Sequence, residues 1–187
     1  ENISTGCSTG NTARLLVKNN EVYDNLATGV WSKISGDQHL FVNNVIYENE
    51  SAGIHCQDGN ASFIYNEVRK NGTYGIEFDN GLAELAHNDI YLNSSYGLIF
   101  NNSNGNHAVH YNNLFRNETY ELHNNSSYAV DARLNWWGDV TTAQMDALGY
   151  SVNVAKIYDI HDDDAIGLVD YRGLLGMASN SGKDPSS

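Results

Sequence analysis

The sequence predicts an all-β chain wound as a parallel β-helix, and three observations carry that prediction. First, a phrase running from Asn44 through Asn49 to Gly53 and Ile54 recurs. It returns as Asn66, Asn71, Gly75, Ile76 and as Asn88, Asn93, Gly97, Leu98. An earlier copy holds Asn20, Asn25, Gly29, Val30, and a later one Asn112, Asn117, Glu121, Leu122. The leading asparagines are 24, 22, 22 and 24 residues apart, a period that marks a repeat architecture. Second, each repeat carries three short apolar patches. Their columns are Val17, Phe41, Phe63, Leu85, Val109; then Val22, Ile46, Val68, Ile90, Leu114; then Val30, Ile54, Ile76, Leu98, Leu122. Patches too short for a helix, separated by Asn and Gly turns, read as three strands per repeat. Third, one such repeat cannot bury its own apolar face, so the repeats must stack. Stacked strands lie about 4.8 Å apart, like residue on like.

The polar residues of the repeat fit this winding. Asn20, Asn44, Asn66, Asn88 and Asn112 form a structural ladder, because an amide stacked on its copy hydrogen-bonds up and down the axis. Asn also tolerates a left-handed turn. Gly29, Gly53, Gly75 and Gly97 are read as positions of positive φ.

In chain order, residues 1–138 form a single-stranded solenoid of about six coils of 22–24 residues. The text from Asn2 to Cys7 matches that from Asn25 to Val30, so the sequence enters in mid-repeat. The expected consequence is an open edge near Cys7, covered by a neighbouring copy of the chain. Complete coils run from about Leu15, and small inserts near residues 35–38 and 103–107 lengthen two periods. Trp137 falls at the Leu114 position, where a large ring covers the end of the core. Residues 139–175 read as a cap: a short helix over 141–148 stopped by Gly149, then extended pieces at 152–157 and 166–171 lying across the last coil. Residues 176–187 read as a flexible tail.

The repeat resembles the right-handed parallel β-helix repeats of the NosD-like, CASH-type group. The ending Asn135, Trp136, Trp137, Gly138, followed by Ile157 to Asp159 and Gly167 to Tyr171, is similar to the terminal motif of archaeal and bacterial surface proteins of that group. That motif usually continues into a proline, whereas Arg172 and Gly173 follow here. The resemblance covers about residues 1–138 and implies the fold. It leaves function open, since the same fold hosts lyases, epimerases, adhesins and structural proteins.

A net charge of −13 disfavours nucleic acid and anionic polysaccharide as partners. No apolar run reaches the length of a membrane span. Cys7 and Cys56 fall on coils two apart, too far for a disulfide. Both are expected as buried free thiols, and no cofactor is called for beyond a candidate Ca²⁺.

Four sets of residues are candidates for function. His55 beside Glu77, in the outward column Trp31, His55, Glu77, Ile99, His123, is a candidate acid/base pair, with no Lys or Arg in that column. Tyr23, Tyr47, Tyr91 and Phe115, with Arg69 among them, form an aromatic strip for sugar stacking or for an interface. Asp159, Asp162, Asp163 and Asp164 are a cluster for Ca²⁺ without the spacing of a calcium loop. Nine N-x-S/T sequons occur where about three are expected by chance. Asn49, Asn71, Asn93 and Asn117 belong to a second, inward ladder, leaving Asn60, Asn101, Asn124 and Asn125 as glycan acceptors.

Two readings follow. One is an extracellular or cell-surface glycoprotein that assembles with copies of itself into a filament, sheath or layer. The other is a polysaccharide-binding module or a carbohydrate-active protein of lyase or epimerase type.

Overall fold

The structure is a computed structural model that describes residues 7–9, 14–33, 38–150, 152–179 and 182. Three parallel sheets wrap one core. Sheet one stacks Cys7–Thr9, Val30–Lys33, Ile54–Gln57, Ile76–Asp79, Tyr96–Asn101, Tyr120–Asn125 and Ile157–Tyr158. Sheet two stacks Leu16–Lys18, His39–Val42, Ala61–Ile64, Ala83–Ala86, His107–His110, Val130–Asp131 and Val169–Asp170. Sheet three stacks Glu21–Tyr23, Val45–Tyr47, Glu67–Arg69, Asp89–Tyr91 and Asn113–Phe115. The chain visits sheets two, three and one in turn, which makes five complete coils among the described residues.

The register is the one the repeat predicts. Ile76 pairs with Ile54 and Leu98, Leu85 with Phe63 and Val109, Ile90 with Val68 and Leu114. Like therefore lies on like, and these side chains form one continuous buried core. Phe41 and Phe63 stack inside it with ring centroids 4.9 Å apart.

Both asparagine ladders are present, and their rungs are buried except for Asn20, which is exposed. In the first, the Nδ2 group of Asn44, Asn66 and Asn88 donates to Oδ1 of the next rung at 2.8, 2.9 and 2.8 Å. Asn112 then donates to Asn135 at 3.1 Å, so the ladder runs one rung further than the repeat suggests. The second ladder links Asn25, Asn49, Asn71, Asn93 and Asn117 and ends on the Glu121 carboxylate, which accepts from Asn117 Nδ2 at 2.6 Å.

The turns differ from expectation. Gly29, Gly53, Gly75 and Gly97 do not have positive φ. They are glycine for space: a Cβ on Gly75 would stand 2.6 Å from the carbonyl oxygen of Gly97 and 2.8 Å from Asn93 Nδ2. The left-handed residue is instead the one before each ladder asparagine. Glu48, Tyr65, Lys70, His87, Leu92 and Arg116 all have φ between 53° and 58°. Such backbone costs about 1–2 kcal/mol for a residue with a Cβ, and the amide bonds on the following residue hold it.

The cap also differs. Helix α1 is Gly138–Leu148, three residues longer at its start than predicted, because Gly138 turns the chain at φ 73° directly after Trp137. Trp137 and Met145 are buried at the end of the core, and Gly149 closes the helix with its N–H on Met145 O. The extended pieces do not lie across the last coil. Ile157 pairs in parallel with Leu122, and Val169 with Val130, so they continue sheets one and two. Part of the tail is docked: Ser179 N–H donates to Asn113 Oδ1 at 2.8 Å and Gly182 N–H to His87 O at 2.8 Å. Of the expected open N-terminal edge, Cys7–Thr9 is described and stands at the end of sheet one, paired with Val30–Lys33, while residues 1–6, with the Asn2 sequon, and residues 10–13 lie outside the described residues.

Two outcomes test this account. Asn88→Ala removes bonds to Phe63 O, Asn66 and Asn112, and should lower unfolding free energy in urea by about 3 kcal/mol or more. Gly75→Ala should destabilise as well, whereas Leu92→Gly, at an exposed left-handed position, should change stability by no more than about 1 kcal/mol.

Candidate functional site

A β-helix strand points alternate residues in and out, and stacking sets each outward residue beside its copy on the next rung. On sheet one this produces two outward columns. One is Trp31, His55, Glu77, Ile99, His123; the other is Lys33, Gln57, Asp79, Asn101, Asn125. The predicted pair is brought together, with His55 Nδ1 3.6 Å from Glu77 Oε2. A third member comes from the neighbouring column: Asp79 Oδ2 lies 3.0 Å from His55 Nε2. The signal for Asp79 was its spacing, since residue i+2 on a strand faces the same side as Glu77. All three side chains are half-buried. Burial raises the carboxyl pKa of Glu77, the charge of His55 lowers it, and that of Asp79 raises it again.

The aromatic strip on sheet three forms, but not as a row of open faces. Tyr23 and Tyr47 stack at 5.1 Å and 12°, and Tyr91 and Phe115 at 4.8 Å and 9°. The Arg69 guanidinium covers the Tyr47 ring at 4.3 Å. Faces engaged with one another leave mainly edges and hydroxyls outward, and Tyr91 OH is itself bonded to Glu67 at 2.6 Å. The exception is the C-terminal end. There Trp136 leans on Phe115 at 49° instead of stacking. It borders a groove of about 560 Å³ between the last complete coil and α1, with Phe115, Glu121, Gly138, Gln144 and Lys156 among its walls. Trp136 was visible in the sequence only as part of the terminal motif; the groove needs α1 folded against the coil.

Glu121 serves both the groove and the ladder. Burial pushes its pKa up to about 7, against hydrogen bonds from Asn117 and the charge of Lys156, which pull it down. Lys156 Nζ donates to the carbonyls of Asn117 and Glu118 at 2.9 and 2.7 Å.

The acidic cluster does not converge. Asp159 is buried, and its carboxylate accepts from the N–H groups of His161 and Val169. Asp162 accepts from Asp159 N–H and Asn153 Nδ2, Asp163 from Ala165 N–H, while Asp164 is exposed. These carboxylates shape turns rather than surround one point. Of the glycan acceptors, Asn60 and Asn125 are exposed and Asn101 is half-buried. Asn124 is a correction: it is fully buried, and its Nδ2 donates to Tyr128 O and Gly167 O, leaving no room for a sugar. Cys56 is a buried free thiol whose pKa burial raises.

The comparisons with known proteins concern the fold. The family described as right handed beta helix region matches residues 1–90. The crystal structure of a point mutant of the periplasmic alginate epimerase AlgG superposes with a TM-score of 0.62 at 18% identity, over 91% of this chain and 45% of that one. The architecture is thus a right-handed parallel β-helix, and the chain spans less than half the length of that epimerase. No curated protein matches by sequence.

Glu121 gives a pH test. Its folded-state pKa of about 7 lies above the ordinary 4.5, so it adds stability below pH 4.5 that is lost as pH rises to about 7. Relative to wild type, Glu121→Gln should remove that decline, on the order of 3 kcal/mol across the window, in urea melts taken at successive pH values.

Proposed function

We propose that this chain is an extracellular or cell-surface polysaccharide-recognition module, and that the groove between the last complete coil and α1 receives a saccharide unit. The observation that carries the reading is Trp136. Elsewhere on sheet three the rings stack on one another or lie under Arg69, whereas Trp136 tilts away from Phe115 at the mouth of a concave, largely apolar groove. A tilted indole beside backbone and a few polar groups suits a sugar ring, which offers an apolar face and a polar rim. Arg116, Asp139 and Gln144 supply that rim. The likeness to an alginate epimerase is consistent with a polysaccharide partner but rests on fold. Among the described residues no helix is long and apolar enough to cross a membrane.

The self-assembling glycoprotein reading has lost two supports. Asn124 is interior, and the strip offered as an interface is largely engaged with itself.

Affinity electrophoresis in gels cast with alginate, pectate or neutral glucans tests the proposal. At least one polymer should retard the protein, and Trp136→Ala should weaken that retardation about threefold to tenfold. Trp31→Ala, on sheet one, should leave it unchanged. Migration unaffected by every polymer, or retardation indifferent to Trp136→Ala, would overturn the assignment.

A further inference from the structure

We propose that His55, Glu77 and Asp79 hold one divalent first-row transition cation, of the zinc type, on the outer face of sheet one. The site lies on a different surface from the groove and does not depend on the saccharide reading.

Geometry is the first argument. Each of the three residues offers one ligand atom, and these atoms all lie within 4.8 Å of one another. Ligands around one zinc ion sit about 3.4 Å apart, the edge of a tetrahedron with bonds near 2.1 Å. His55 Nε2 and Asp79 Oδ2, at 3.0 Å, already meet that requirement. Glu77 Oε2 lies 3.6 Å from the other ring nitrogen, Nδ1, so the Glu77 side chain must turn toward Asp79 for all three to meet one ion. The backbone there is fixed, because Ile76–Asp79 is paired on both sides.

Charge is the second argument. On the other two sheets three half-buried carboxylates each have a guanidinium: Glu67 has Arg69, Asp131 has Arg133, Asp170 has Arg172. Among the described residues the ion pairs to both Glu77 and Asp79 come from His55 alone. Two neighbouring carboxylates sharing one imidazole lack positive charge, and a divalent ion supplies it.

Donor type selects the ion. One imidazole nitrogen with two carboxylates suits zinc and its neighbours. Calcium asks for six to eight oxygens, and three residues on two rungs do not provide them. The walls favour a tight site: Ile99 is buried on the rung after Glu77, and the Trp31 ring lies 6.5 Å from that of His55 on the rung before. The outward side stays open, so a bound ion keeps positions for water or an anionic ligand.

The test is isothermal titration of the metal-stripped, tag-free chain with Zn²⁺, together with the visible spectrum of the Co²⁺ form. One equivalent per chain should bind, excess Ca²⁺ should not displace it, and Co²⁺ should give the intense bands of a low-coordinate site. Glu77→Gln and Asp79→Asn, which preserve shape, should each weaken binding about tenfold or more, and His55→Ala should abolish the cobalt bands. Thermal melting of each variant without metal should match wild type. Absence of stoichiometric binding, or binding that Glu77→Gln and Asp79→Asn leave unchanged, would overturn the proposal. Neither outcome touches the groove, whose test uses Trp136→Ala.

Discussion

Buried side-chain amides hold the coils of this molecule in register. An amide sealed in an apolar core costs free energy unless its hydrogen bonds are made. Here each ladder asparagine finds them in its neighbours. Asn88 donates to Asn112 and to the carbonyls of Phe63 and Ala86, while its own oxygen receives both N–H and Nδ2 of Asn66. A slip of one residue in any coil would strand several such groups at once. The apolar columns supply most of the driving force but are tolerant of register, since Val, Ile and Leu substitute for one another along them. The ladders are not tolerant. They select one stacking among the many that would bury the same carbon.

The same bonds explain the odd conformations. Eleven residues, each directly before a ladder asparagine, are left-handed without being glycine: Asn19, Asp24, Asn43, Glu48, Tyr65, Lys70, His87, Leu92, Tyr111, Arg116 and Leu134. Their side chains have little in common. What they share is the next residue, a ladder asparagine: from Asn20 to Asn112 its backbone N–H is tied to the amide oxygen of the next rung, and that of Asn117 to the Glu121 carboxylate. Strain is thus tolerated locally because an over-determined neighbour enforces it. The glycines do a separate task. They keep the corner thin enough for coils to approach to rung spacing, and where the stack no longer repeats, Glu121 takes that place and folds its carboxylate onto the last amide.

Much of this was legible from residue order. The period, the three inward columns, the inward direction of the second ladder and the burial of Trp137 follow from spacing alone, because a solenoid maps sequence separation onto position directly. The glycine role was misread because glycine serves two purposes, and sequence does not say whether torsion or space demands it. Asn124 was misplaced because the cap that buries it arrives from residue 167, far along the chain. The aromatic strip lies where the repeat puts it, but register says which rings are neighbours and not whether their faces or edges meet the solvent. The acidic residues 159–164 are candidates for Ca²⁺ by composition alone, and in the structure Asp159, Asp162 and Asp163 bind turn N–H groups.

Reading one column at a time also hid the chemistry of sheet one. His55 and Glu77 belong to one column, and alone they make an unremarkable ion pair. Asp79 stands in the next column, two residues along the strand, and touches His55 across the diagonal of the lattice. A β-helix surface is a two-dimensional array with about 4.8 Å between rungs and about 6.6 Å between outward residues on a strand. Three side chains at the corners of such a cell converge above it, at distances a metal ion or a shared proton can bridge. The lattice makes this geometry available on every face; residue type decides where it is used. On this chain a histidine and two carboxylates meet without a guanidinium at one such cell, on strands paired in register on both sides.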